Sequence, residues 1–306
     1  MIKPVNKSGH APACRLAACR LSLRADMGWR GIRSGVAACA LTLAACAPTA
    51  PDMRGGGERV PSGPTIVSLN PCLDAILVEI ADPSQVLALS HYSRDPAASS
   101  IPQGVARSFG FTGGTAEEVI ALSPDLVLAS IFIAPATRDA LERAGLRVET
   151  FGSPKSTAES LEQVLALAQA VRREPEGEAL VQRIEAARAG GEAKTRPVST
   201  LLWQPGEIVA GEATLVAEML RSRGFQSHVA AMGLGQADHV ALETVLADPP
   251  ELLLVAGDSA GQGHPLLARL EQTRVEPVDP RLLFCGGPSV IALGQRLDEI
   301  RVGLRP

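Results

Sequence analysis

The chain writes one fifteen-residue unit twice, and no other feature constrains its fold so tightly. Residues 116–130 read AEEVIALSPDLVLAS and residues 242–256 read LETVLADPPELLLVA. Superposed, Glu117 falls on Glu243, Val119 on Val245, Ala121 on Ala247, Pro124 on Pro250, and Leu126 and Leu128 on Leu252 and Leu254. Each copy opens with acid, which suits the positive N-terminus of a helix. Each then stops at proline, which cannot continue a helix and drives its predecessor toward extended geometry. The apolar runs that follow, LVLAS and LLLVA, fit strands buried on both faces of a parallel sheet. Two well-separated copies of one αβ unit predict two similarly built lobes.

The flanking sequence fits that plan. Before the first copy, Thr65–Leu69 reads as a strand closed by Asn70-Pro71, Asp74–Ile80 as a helix and Val86–Leu89 as a short strand, with loop from His91 to Pro102. After it come a helix to Gly145, a strand at Leu146–Phe151 and a helix at Thr157–Arg172. Glu174–Arg188, with Pro175 in its first turn and Leu180 and Ile184 as apolar contacts, is a single helix midway between the copies. Its place reads it as a bridge. The alternation then restarts, with strands at Ser199–Trp203 and Arg274–Val278 and a last helix at Ser289–Leu304. The expected fold is therefore α/β, two lobes each with a mainly parallel sheet flanked by helices, joined by one long interlobe helix. Residues 63–173 form the first lobe, 174–195 the bridge and 196–306 the second lobe.

The N-terminus carries an address. From Met27, Arg30 and Arg33 precede an apolar stretch from Val36 to Ala45 that is too short to span a bilayer. It ends in Leu43-Ala44-Ala45-Cys46, which resembles the lipobox of bacterial lipoproteins, where the cysteine is lipidated and becomes the mature N-terminus. Residues 1–45 read as a targeting segment, the first 26 of them as an over-extended start before Met27. Residues 46–62, rich in Pro and Gly, read as a flexible tether. Export to the periplasm with a lipid anchor in a membrane is the expectation. Of six cysteines only Cys72 and Cys285 remain in the body. A bond between them across a cleft would restrict opening, so two free buried thiols are expected.

Charge near balance, 29 basic against 33 acidic residues, supplies no global field to recruit nucleic acid. The informative side chains are the few aromatics. Tyr92, Phe111, Phe132, Trp203 and Phe284 all fall at or near loops that follow or precede strands, and open α/β sheets bind ligands outside the carboxyl ends of their strands. Any one ring could fill the core. As a set they favour a cleft lined with broad, low-entropy contact surface.

Other constellations are weaker. The histidines show no metal-ligand spacing, although His91, His228 and His239 fall in loops. Asp238-His239 and Ser289 lack a GxSxG elbow, and no nucleophile–base pairing is evident. Gly113-Gly114 and Gly286-Gly287 precede helices and could offer backbone N–H groups to an anion.

SLNP after the first strand, ALSHYSRDP after the second, and the two repeat copies resemble the periplasmic binding proteins of iron-siderophore, haem and cobalamin ABC importers. The resemblance runs from about Thr65 to the C-terminus. It implies two lobes with the ligand between them and modest closure, no catalytic activity, and a monomer that meets a permease dimer with its ATPase. It places Glu117 and Glu243 where one glutamate per lobe docks into the permease. It also matches Tyr92 to a ligand-contacting tyrosine and sets Phe111 where cobalamin binders carry a tryptophan. The chain departs from the family at Asp74-Ala75, where Thr-Glu is common, and at Ile80-Ala81-Asp82, where Leu-Gly usually follows the first helix. Cobalamin or a related corrinoid is the first choice of solute, with haem or a ferric siderophore next. Arg94 or Arg107 would suit an anionic chelate. A zinc or manganese binder using His91 and carboxylates is the alternative, and an exported enzyme on the same scaffold is the rival of another class. No cofactor or resident metal is expected.

Overall fold

The computed structural model describes residues 63–189 and 196–304, so the targeting segment, Cys46 and the tether lie outside the described residues. The described residues all fall within one unit. No helix among the described residues is long and apolar enough to cross a membrane.

The first lobe is a five-stranded parallel sheet. Its strands are β1 (Ile66–Ser68), β2 (Val86–Ser90), β3 (Phe111–Thr112), β4 (Leu126–Ser130) and β5 (Arg147–Phe151), in spatial order β3-β2-β1-β4-β5. Helices α1 (Pro71–Ile80), α2 (Gln103–Ala106), α3 (Ala116–Leu122), α4 (Pro135–Arg143) and α5 (Thr157–Val171) make the crossovers and cover the faces. Helix α6 (Glu174–Ala189) then leads to the second lobe. There the strands are β6 (Val198–Gln204), β7 (Ile208–Val209), β8 (Phe225–Ser227), β9 (Leu252–Val255) and β10 (Arg274–Pro277), with α7 (Leu215–Ser222), α8 (His228–Ala231), α9 (Leu242–Ala247) and α10 (Pro288–Gly303) around them.

The repeated sequence is a repeated structure. β6 is flanked by β8 on one side and β9 on the other, as β1 is flanked by β2 and β4. Leu126 pairs with Ile66 and Arg147, and its counterpart Leu252 pairs with Thr200 and Arg274. The two copies therefore occupy the same position and register in their sheets. Among the described residues the antiparallel departures are the β6–β7 hairpin and a single bridge from Ile208 to His239.

Strand alternation explains the layers. Leu126 and Leu128 of β4, and Leu252 and Leu254 of β9, point into one core that also holds Leu180 and Ile184 of α6. Val127 points the other way into an outer cluster with Val119 and Leu141, and Leu253 into its counterpart with Trp203 and Val245. Burial on both faces is what the unbroken apolar runs require. The largest core is continuous from the first sheet through α6 to the second, because α6 packs against α5, α10 and α1.

That seam is also polar and covalent. Thr157 N donates to Glu218 Oε2 (3.1 Å), Gly287 N to Ser160 Oγ (2.7 Å), and Arg281 Nη1 to Pro96 O (3.2 Å). Gly287 has φ +67°, and a Cβ there would meet Ile76 Cγ1 at 2.7 Å, so only glycine lets this loop lie against α1. Cys72 and Cys285 form a disulfide. This corrects the expectation of free thiols: the bond joins the first turn of α1 to the loop entering α10, helices that pack against each other at the waist.

Candidate ligand-binding site

In the first sheet the chain goes to one side of β1 for β2 and to the other for β4, so the topological switch lies between β1 and β4. Crevices outside the carboxyl ends of strands at such a point are where open α/β sheets bind ligands. Here they are walled by the loops after β1 and β4. Asn70 ends the first loop and caps α1, its Oδ1 accepting from Cys72 N (2.8 Å) and Leu73 N (3.4 Å), with Pro71 at the first helical position. Phe132 follows β4 and is 80% exposed, its backbone N–H held by Ser130 Oγ at 3.1 Å. Tyr92 stands on a 3₁₀ turn, His91–Arg94, directly after β2; it is 52% exposed and packs on the His91 ring at 4.0 Å between centroids.

Phe284 is the second lobe's contribution. It is 56% exposed, lies beyond β10, and neighbours the disulfide, its carbonyl oxygen 3.9 Å from Cys72 Sγ. The covalent link thus brings the Phe284 backbone beside the first turn of α1. Three large exposed aromatics, Tyr92, Phe132 and Phe284, stand on loops that follow strands.

The other two proposed rings belong elsewhere. Trp203 is 0% exposed: it sits in the outer core of the second lobe and its Nε1 donates to Val240 O at 2.8 Å. Its indole is therefore a satisfied core group and not a cleft wall. Phe111 is a strand residue of β3, half-buried against the main core. With Arg94, Gln103, Ala106, Arg107 and Phe109 it lines a hollow of about 500 Å³ on the edge of the first lobe. Arg94 and Arg107 are exposed there and make no ion pair among the described residues.

Glu117 and Glu243 occupy equivalent places, each exposed in the first turn of the helix that precedes β4 or β9. Glu118, next to Glu117, is committed internally, accepting from Thr112 Oγ1 (2.9 Å) and Gly113 N (2.6 Å). That bond, and the one from Gly287 N to Ser160, removes both glycine pairs as ready anion cradles.

Beneath the Tyr92 turn lies a feature the sequence concealed. Asp74 of α1 is fully buried with Ser68, Ser90 and Ser93. Its Oδ2 accepts from Ser90 N (2.9 Å) and Ser93 Oγ (2.6 Å), while Oδ1 has no partner among the described residues. Loss of water pushes its carboxyl up to about 7, against the opposing pull of the nearby Ser68 hydroxyl and of the hydrogen bonds from Ser93 and Ser90. In sequence it shows only as a departure from the Thr-Glu common in the family.

A nucleophile–base pairing, not evident in sequence, does exist: Ser199 Oγ lies 2.9 Å from His228 Nδ1, and His228 Nε2 lies 2.9 Å from Asp248 O. It sits at the amino end of β6, opposite the aromatic rim, and ties β6, α8 and α9 together. Among the described residues no group of three or more His, Cys, Asp or Glu is placed to hold a metal ion.

With the geometry in place, the comparisons decide the family. Residues 66–274 match the model of the periplasmic binding protein family. The chain belongs to that family. Its members are periplasmic solute-binding proteins and not enzymes. The fold is similar to that of the periplasmic heme binding protein HutB of Vibrio cholerae (TM-score 0.62, 20% identity, 79% of this chain and 99% of that one). It is likewise similar to the periplasmic vitamin B12 binding protein BtuF of Vibrio cholerae (0.60, 19%, 78% and 96%) and the periplasmic heme-binding protein RhuT from Roseiflexus sp. RS-1 (0.59, 22%, 78% and 97%). No curated protein matches the chain.

Proposed function

We propose that this periplasmic binding protein captures a flat metal tetrapyrrole, a corrinoid first and haem next, between its lobes and hands it to an ABC importer. The observation that carries the reading is the rim of Tyr92, Phe132 and Phe284, three large rings left in water at the carboxyl-end loops. Leaving such rings exposed forgoes roughly 2 kcal/mol of burial for each, which a flat apolar ligand face would recover. Arg94 and Arg107 stand on the same lobe beside the 500 Å³ hollow, suited to a chelate's carboxylates. The exposed pair Glu117 and Glu243 fits the two halves of a permease dimer, where matched charges give orientation and encounter rate more than affinity. The anchor is a lipid on Cys46, and the protein acts as a monomer.

The test is calorimetric titration of cyanocobalamin and haemin into the wild type, Phe132→Ala, Phe284→Ala and Trp203→Phe. One solute binds at one per chain; each rim variant weakens it at least tenfold, a loss of about 1.4 kcal/mol, and Trp203→Phe leaves it unchanged. Unaltered affinity in both rim variants would remove the aromatic rim from the site.

A further inference from the structure

We propose that Asp74 is the positioning residue of the ligand rim: its buried carboxyl group clamps the Tyr92 turn from below, and the gain or loss of its proton changes the shape of that turn. The two donors it holds, Ser90 N–H and Ser93 O–H, bracket His91 and Tyr92 in the chain. Among the described residues no other side chain of α1 bonds to the turn. Ser90 and Ser93 are buried as completely as Asp74 itself, so any change in the carboxyl group is passed upward through packed atoms. The side chain above them, Tyr92, is exposed.

Ionised, Asp74 accepts charge-assisted hydrogen bonds from both donors and draws the turn down. Neutral, it accepts ordinary ones, and the turn slackens. Burial pushes the carboxyl up to about 7, which brings its protonation change close to neutrality. The charged groups around it do not take over this role. His91 and Arg94 lie on the turn itself and are exposed; Glu79 of α1 is paired with Arg183 of α6 at 2.7 Å. β1 and β2 carry no charged residue, and the residues that α5 and α10 bury are all uncharged. Desolvation and hydrogen bonds alone set the shift, with no neighbouring charge among its causes.

Tyr92 is the only tyrosine in the chain, so one ring reports the turn without background. The experiment follows the ring signal of ¹³C-tyrosine-labelled protein by NMR from pH 5.5 to 8.5, without ligand. The wild type should show a transition near neutrality that is absent in Asp74→Asn and present in His91→Gln. Ser93→Ala, which removes one donor to the carboxylate, should keep the transition and move it to higher pH. No transition in the wild type, or one that survives in Asp74→Asn and vanishes in His91→Gln, would overturn the proposal. The consequence for binding rests on the reading of the Tyr92 turn as part of the rim. Whichever of cyanocobalamin and haemin binds should do so about fivefold more tightly at pH 8 than at pH 6, and equally at both in Asp74→Asn. A tyrosine transition with no change in affinity would keep Asp74 as the clamp and take Tyr92 out of the ligand site.

Discussion

Replacing Cys72 and Cys285 together by serine cuts the covalent tie between α1 and the loop entering α10 and leaves every other seam contact in place. The two cysteines are 213 residues apart. Chain-entropy reasoning assigns the removal of so long a closed loop from the unfolded ensemble about 5 kcal/mol at 25 °C. Native disulfides deliver roughly 2–5 kcal/mol, so a loss of about 4 kcal/mol is expected. The assay is equilibrium unfolding in urea, followed by far-ultraviolet circular dichroism and by emission of Trp203, which lies in the second lobe's outer core. With an m-value of about 2–3 kcal/mol/M, the midpoint should fall by roughly 1.5–2 M. Because the main core runs unbroken through both lobes, the two probes should still report one transition. A loss under about 1 kcal/mol would refute the view that the bond staples the lobes. Wild-type thiols that react with an alkylating agent in the folded, oxidised protein would refute the bond itself.

Asp74→Asn should flatten the pH dependence of stability. The group's folded value is raised to about 7 from 3.8, so the stability it contributes is full below the unfolded value and is lost as pH rises through 7. The wild type should therefore lose on the order of 3–4 kcal/mol from this group between pH 4 and pH 8, measured by urea unfolding, and the variant should not. An identical slope in both proteins would count against the assignment. Gly287→Ala should cost about 2 kcal/mol or more, because a Cβ would both clash with Ile76 and sit at φ +67°; a neutral result by thermal unfolding would mean the seam is looser than its contacts indicate. Charge reversal at Glu117 and Glu243 together should abolish uptake by cells carrying the importer while solute affinity stays the same; normal uptake would end the docking role.

How much of this was legible beforehand depended on the range of the interaction concerned. The duplicated unit announced β4 and β9, because an acidic first turn, a proline and an apolar run are local signals with local causes. The interlobe helix was legible for the same reason, as Pro175, Leu180 and Ile184 mark its start and its buried face. β3 escaped notice since two residues, Phe111 and Thr112, are too few to show a period. Trp203 was misplaced because it stands near the end of β6, where a rim residue belongs; the β6–β7 hairpin and the segment around Val240 fold over it, and no local signal encodes that cover. The disulfide joins residues far apart in sequence, so only the packing of α1 against α10 reveals it. Asp74 shows in sequence only as a departure from the family's Thr-Glu, because Ser68, Ser90 and Ser93 gather around it from separate segments.

A crystal structure of the protein with its tetrapyrrole bound tests the account most directly. The account predicts the macrocycle between the lobes, in van der Waals contact with Phe132 and Phe284 and reached by Tyr92. A macrocycle seated instead in the hollow of about 600 Å³ beside Pro197, Phe225 and Ala230 of the second lobe, or a protein that takes up neither corrinoid nor haem, would contradict it.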